Sequence, residues 1–185
     1  AHAASKPAAP QADPPAKPRY TITDLGTLGG DTSQAFGINK KGQVVGLAKL
    51  NAQIYHAFLW DDEVMTDLGT LGGPQSSAQA INDAAKVVGG AHFSSGSGGA
   101  FLWQNGAMQN LGTLGGTTGS TAAGINKSGQ VVGSSSISGS IDPSQPAHAF
   151  LWQNGAMQDL GSLARESSRA LAACRRDRQA MTIEW

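Results

Sequence analysis

Asp24-Leu-Gly-Thr-Leu-Gly-Gly30 decides the fold, because it returns as Asp67 to Gly73 and, with Asn in first place, as Asn110 to Gly116. A shortened form, Asp159-Leu-Gly-Ser-Leu163, follows. The same phrases fill the intervals in the same order. Gly37-Ile-Asn39, Ala80-Ile-Asn82 and Gly124-Ile-Asn126 each stand before Val44-Val-Gly, Val87-Val-Gly and Val131-Val-Gly, and Phe58-Leu-Trp60, Phe101-Leu-Trp103 and Phe150-Leu-Trp152 come next. A period of 43 to 49 residues marks one supersecondary unit built several times. The units run over 24–66, 67–109 and 110–158, with a partial one at 159–172. Repeated residues build the unit, so function is sought where the copies differ.

Each unit contains four short strand candidates, rich in β-branched and aromatic residues and bounded by turn signals. In the first unit these are Ser33–Ile38, Gln43–Leu47, His56–Trp60 and Val64–Leu68. Asn39-Lys-Lys-Gly42 and Asn126-Lys-Ser-Gly129 place Asn at the start of a turn and Gly where positive φ is needed. The second copy has Ala85 in that Gly position, which predicts a strained or different turn. Asn105-Gly106 and Asn154-Gly155 are tight-hairpin signals. The strands therefore pair as an antiparallel meander. Apolar residues point both ways in Phe-Leu-Trp, which predicts sheets covered on both faces by neighbouring units.

An all-β array of four-stranded antiparallel units with this period matches the blades of a β-propeller, and also the thirds of a β-trefoil. Tyr20-Thr-Ile-Thr-Asp-Leu25 favours the propeller, since it reads as an outer strand that a ring would use for closure. Trp60, Trp103 and Trp152 are expected to pack between units, and Asn39, Asn82 and Asn126 to build the repeat.

Outside the repeat domain, residues 19–172, the composition changes. Residues 1–18 hold five of the eight prolines and read as a Pro/Ala-rich, flexible, solvated tether. Opening on Ala-His-Ala, the tether suits a chain from which a secretory signal was removed. At the other end, Cys174 stands where the fourth Ile-Asn should be, and five of the six arginines follow residue 164. This anomalous Arg-rich tail, 173–185, predicts a shifted reading frame or truncated coding region, with a divergent cap as the alternative. An arc left open in that way would expose strand edges and self-associate.

The chain carries 13 basic and 13 acidic side chains, a balance that gives no basis for nucleic-acid binding. No apolar run approaches the ~20 residues of a membrane span. A single cysteine excludes an internal disulfide framework.

These phrases resemble the bacterial extracellular repeat family named for its His-Ala-Phe (HAF) motif, which stands here at His56-Ala-Phe58 and His148-Ala-Phe150. The likeness covers about residues 20–172, and departs from the pattern at Gly99, in the His position of the second copy, and at Ala85. It implies secreted, propeller-like repeat proteins and an extracellular or periplasmic address. It implies no particular reaction.

Length variation falls in two segments only, between Leu-Gly-Gly and Ile-Asn and between Val-Val-Gly and Phe-Leu-Trp. In a meander both lie at one end, the candidate binding surface. Tyr55, His92, Phe93 and Asp142 are its distinctive groups, and polar Ser/Gly loops with occasional aromatics suit a glycan or another extracellular polymer. The leading expectation is a secreted binding or interaction module. One alternative is a secreted hydrolase of ester or polymeric substrates, with His92 or His148 as base, Asp142 orienting it and a loop serine as nucleophile. Another is a trefoil lectin. The chain lacks Gly-x-Ser-x-Gly and His-Glu-x-x-His, so catalysis is the lesser expectation. His56 and His148 read as structural residues bonded to a loop carbonyl. No cofactor is predicted. Calcium is the alternative invited by Asp24, Asp67 and Asp159, though one carboxylate per unit is few for an ion that takes roughly six to eight oxygens. An Asx turn is the expected role of those residues.

Overall fold

Short β-rich runs between fixed turns give twelve strands and no helix among the described residues, which are 20–116, 119–137 and 147–161 of the computed structural model. The tether, the tail with Cys174, and the partial unit beyond residue 161 lie outside them. Sheet I comprises β1 (Ser33–Ile38), β2 (Val44–Lys49), β3 (Tyr55–Asp61) and β4 (Val64–Asp67). Sheet II comprises β5 (Gly72–Ile81), β6 (Val87–Phe93), β7 (Gly98–Gln104) and β8 (Ala107–Asn110). Sheet III comprises β9 (Ser120–Ile125), β10 (Val131–Ser136), β11 (Ala147–Gln153) and β12 (Ala156–Gly161). Every sheet is an antiparallel meander in chain order, as the repeats predict.

A trefoil needs strands of different units paired into a closed barrel. Here every ladder stays within one sheet, and among the described residues one isolated parallel bridge, Gly98 to Gly119, crosses between two. Nor do the described residues form a closed ring of sheets. Tyr20–Leu25 is not a strand: it has no ladder partner among the described residues, and Tyr20 and Ile22 are 88% and 99% exposed. An extended segment without a neighbour leaves its backbone to water, whatever its β propensity.

The Gly of Val-Val-Gly and the Phe of Phe-Leu-Trp are two halves of one contact. Gly46 pairs with Ala35 on one side and Phe58 on the other, beside a bulge at Phe36. A Cβ on Gly46 would strike the Gln34 carbonyl and lie 2.9 Å from the Phe58 ring. Gly89 stands in the same relation to Ser77 and Phe101, and Gly133 to Thr121 and Phe150. The three rings are the largest fully buried side chains of the described residues. Burying each contributes about 1.5–3 kcal/mol.

Successive sheets stack face to face. The rear face of sheet I supplies Val45, Ala57, Leu59 and Leu68, and the front face of sheet II answers with Ala78, Ile81, Val87 and Phe101, edged by Trp103 and Met108. One unit on, the rear of sheet II supplies Val88, Ala100, Leu102 and Leu111, and the front of sheet III supplies Ala122, Val131 and Phe150, edged by Trp152 and Met157. Trp103 and Trp152 thus pack between units as expected, while Trp60 is half-buried at the front of sheet I. Sheet II buries both faces, which explains the two-sided apolar pattern of Phe-Leu-Trp.

Two polar ties repeat at each junction. The Asn39 amide donates to the Asn82 carbonyl at 3.1 Å, and the Asn82 amide to the Asn126 carbonyl at 3.0 Å. Each Asn also closes its own turn, its Oδ1 accepting from backbone N–H groups two and four residues ahead. Ser76 accepts the Ala57 N–H at 2.9 Å and donates to the Gly69 carbonyl at 2.5 Å. Ser120 does the same with Ala100 and Gly112. Asn39, Asn82, Ser76 and Ser120 are therefore joints between sheets as well as parts of a sheet.

Candidate functional site

Each first strand after β1 packs on the sheet before it, β5 on β2 and β3 and β9 on β6 and β7. Among corresponding strands the first ones also meet, β1 with β5 and β5 with β9, with no comparable contact between fourth strands. Between these inner strands and the variable-loop end runs a cleft of about 270 Å³, lined by Tyr55, Ser77, Gln79, His92 and Thr121 among others. It adjoins a second cleft of about 490 Å³, sharing His92, Gly98, Ser120 and Thr121 and adding Ser97 and Ser134 to Ser136. None of the described residues lining either cleft carries a formal charge.

Register fixes the places of Tyr55 and His92. Tyr55 opens β3 opposite Lys49, and His92 near the end of β6 faces Gly98. Lys49, His92 and Ser136 thus hold one position in the three units, and Tyr55, Gly98 and Ala147 another. The His92 imidazole makes no hydrogen bond to another described residue. Lys49 stands 5.6 Å above the Tyr55 ring and 3.0 Å from Asp31. That hydrogen bond holds the Asp31 carboxyl below the usual aspartate range and the Lys49 ammonium above the usual lysine range. Lys49 is thereby paired with a carboxylate beside the cleft.

Of the sequence-predicted binding residues, Tyr55 and His92 come together, and Asp142 lies outside the described residues. Phe93 lines neither cleft. Its ring occupies the space beside Gly99, where a Cβ would be 2.6 Å from Phe93 Cζ and 3.0 Å from Asn110 Oδ1. In the second copy Phe93 fills the space a side chain at Gly99 would need.

The repeat histidines are bound to carboxylates and not to loop carbonyls. His56 Nδ1 lies 2.8 Å from Asp67 Oδ2, and His148 Nδ1 lies 2.9 Å from Asp159 Oδ1. An acceptor-only carboxylate requires the proton on Nδ1. Asp67 Oδ1 also accepts the Gly69 N–H at 2.8 Å, and Asp159 Oδ1 the Gly161 N–H at 2.7 Å. Asp24 and Asn110 make the same Asx turn, at 2.9 and 3.0 Å. Where the histidine is replaced by Gly99, the carboxylate is replaced by Asn110. The His of His-Ala-Phe and the Asp of Asp-Leu-Gly are one pair, a coupling visible in the sequence and not read there. His148 Nε2 is buried without a hydrogen-bond partner among the described residues.

Sequence reasoning confined its search to loops and so missed Ser77, Gln79 and Thr121, which lie on the inner strands. Gln79 is the bulged residue of its strand, in the position of Phe36 and Ala123. That difference among copies was the available signal. Among the described residues no group of three or more His, Cys, Asp or Glu side chains is placed to hold a metal ion, no serine hydroxyl bonds a histidine, and no helix is long and apolar enough to cross a membrane. No protein family, curated protein or solved structure matches the chain at a significant level.

Proposed function

We propose that this chain is a secreted or periplasmic β-repeat module, of the His-Ala-Phe type, that binds a neutral polyhydroxylated polymer such as a glycan. The observation carrying this reading is the cleft itself: hydroxyls and amides from Ser77, Gln79 and Thr121 converge with Tyr55 and His92, and among the described residues no charged side chain lines it. Neutral donors and acceptors suit hydroxyl groups, and an aromatic face suits the apolar side of a sugar ring. An anionic polymer would require arginine or lysine facing it. A propeller-like arrangement agrees with inner strands in mutual contact and outer strands further apart.

Calorimetric titration with neutral and anionic oligosaccharides tests the reading. Saturable binding of a neutral glycan, weakened at least tenfold by Tyr55→Ala or Thr121→Val with the fold intact, is the expected result. Binding unaffected by both substitutions would remove the cleft from the account. Turnover of a glycan or ester abolished by His92→Ala would replace binding with hydrolysis.

A further inference from the structure

We propose that the two ends of the array are the two halves of one interface, and that one copy of this chain receives a second copy head to tail. This inference stands apart from the glycan reading. Inside the chain, the rear face of each sheet meets the front face of the next, and the contact is built twice from equivalent residues. Several of the same positions at the two ends are open to water, although Phe58 at the front of sheet I stays buried beneath its own sheet.

At the rear of sheet III, Val132 is 46% exposed, whereas Val45 and Val88 are 0%. Leu160 is 52% exposed, against 6% for Leu68 and 7% for Leu111. Ala149 is exposed where Ala57 and Ala100 are buried. At the front of sheet I, Ile38 is 69% exposed against 8% for Ile81, and Ala35 is exposed where Ala78 and Ala122 are buried. One end therefore presents what the other end is shaped to cover, and contiguous apolar surface of this kind marks an interaction site.

The polar ties continue the same logic. Within the chain each Asn amide donates to the Asn carbonyl of the following unit, so the next acceptor for Asn126 is Asn39 of a second copy. Asn39 is equipped to accept, since its carbonyl takes one hydrogen bond, from Gly42, and a carbonyl has two lone pairs. Ser33 donates to the Gly26 carbonyl as its counterparts donate to Gly69 and Gly112. The donor it would accept from, following Ala57 and Ala100, is the Ala149 N–H of a second copy. Only the rim resists. Lys40 faces Asp83 across the first junction, but at the new one Lys127 would face Lys40, so salt should favour assembly. Such a contact joins two different surfaces, so it propagates into a ring or an open chain, unlike a two-fold dimer or strand-edge pairing.

Sedimentation of the full chain across concentration and salt tests this. The mass is expected to rise with both. Ile38→Glu breaks only the front face and Leu160→Glu only the rear, and both residues are exposed, so circular dichroism should remain that of the parent. Each variant alone should be monomeric. Mixed in equal amounts they should form a discrete dimer, because the intact rear of the first fits the intact front of the second. A parent that is monomeric at every concentration overturns the proposal and assigns the faces to other parts of the same chain. So does a mixture that stays monomeric while the parent assembles, since that is the behaviour of an interface using one face twice.

Discussion

Replacing Ala85 with glycine should stabilise the protein, and the structure sets the size of the effect. Ala85 has φ of 57°, in the position that Gly42 and Gly129 hold at 82° and 83°. The turn is otherwise the same: Ala85 N–H donates to the Asn82 carbonyl at 3.0 Å, as Gly42 does to Asn39 at 3.1 Å. The second copy thus keeps the turn of the others and is not rebuilt around its missing glycine. An L-residue held there costs about 1–2 kcal/mol. Against this, glycine loses about 0.4–1 kcal/mol more on folding because its unfolded chain is freer. The difference leaves Ala85→Gly more stable by about 0.5–1 kcal/mol. With a urea slope of about 2 kcal/mol/M, the unfolding midpoint should rise by about 0.2–0.5 M. The reverse substitution, Gly42→Ala, is a clean control, because a Cβ there meets nothing within 4 Å and only the φ of 82° opposes it. It should lower the midpoint by about as much. An unchanged or lowered midpoint for Ala85→Gly would refute the claim that the strain is stored at this residue.

Ser76→Ala should cost about 1–3 kcal/mol in the same assay, because it leaves the buried Ala57 N–H without its acceptor and frees the Gly69 carbonyl. Gly89→Ala should cost about 1–3 kcal/mol or prevent folding, since the new methyl would strike the Ser77 carbonyl and lie 3.0 Å from the Phe101 ring. Asp31 should titrate below an ordinary aspartate by NMR and return toward the usual range in Lys49→Gln, its lowering being caused first by the Lys49 hydrogen bond. A carboxyl with a depressed folded value contributes its stability above the unfolded value and loses it as pH falls through the folded one. This pair should therefore matter at neutral pH and fade in acid. An unshifted Asp31 would contradict it.

Local chemistry carried much of the architecture. The strand β1 coincides with Ser33–Ile38 as read from the chain, and the Asn-Gly turns form, with Asn105 and Asn154 both at φ of 53°. The Asx turns at Asp24, Asp67, Asn110 and Asp159 also follow from residue type, since a short acceptor two residues before a glycine N–H needs no tertiary help. Tyr20–Leu25 shows the opposite limit, because a strand is defined by its neighbour and β propensity supplies none. The cleft was half legible. Tyr55 and His92 stand out as variable, but Ser77 and Thr121 look like ordinary repeat-building residues, and which face of an inner strand lines a cavity depends on how whole sheets stack. The histidine–carboxylate pairs were hidden for another reason. Eleven residues separate the partners, and only the β3–β4 and β11–β12 ladders bring them together.

The most direct test of the binding claim is a backbone NMR titration of the full chain with a neutral oligosaccharide. Saturable shifts clustered at Tyr55, Ser77, Gln79, His92 and Thr121 are the predicted result. Shifts confined to the opposite end, around the turns at Asn39 and Asn126, or no saturable shift with any neutral sugar, would contradict it.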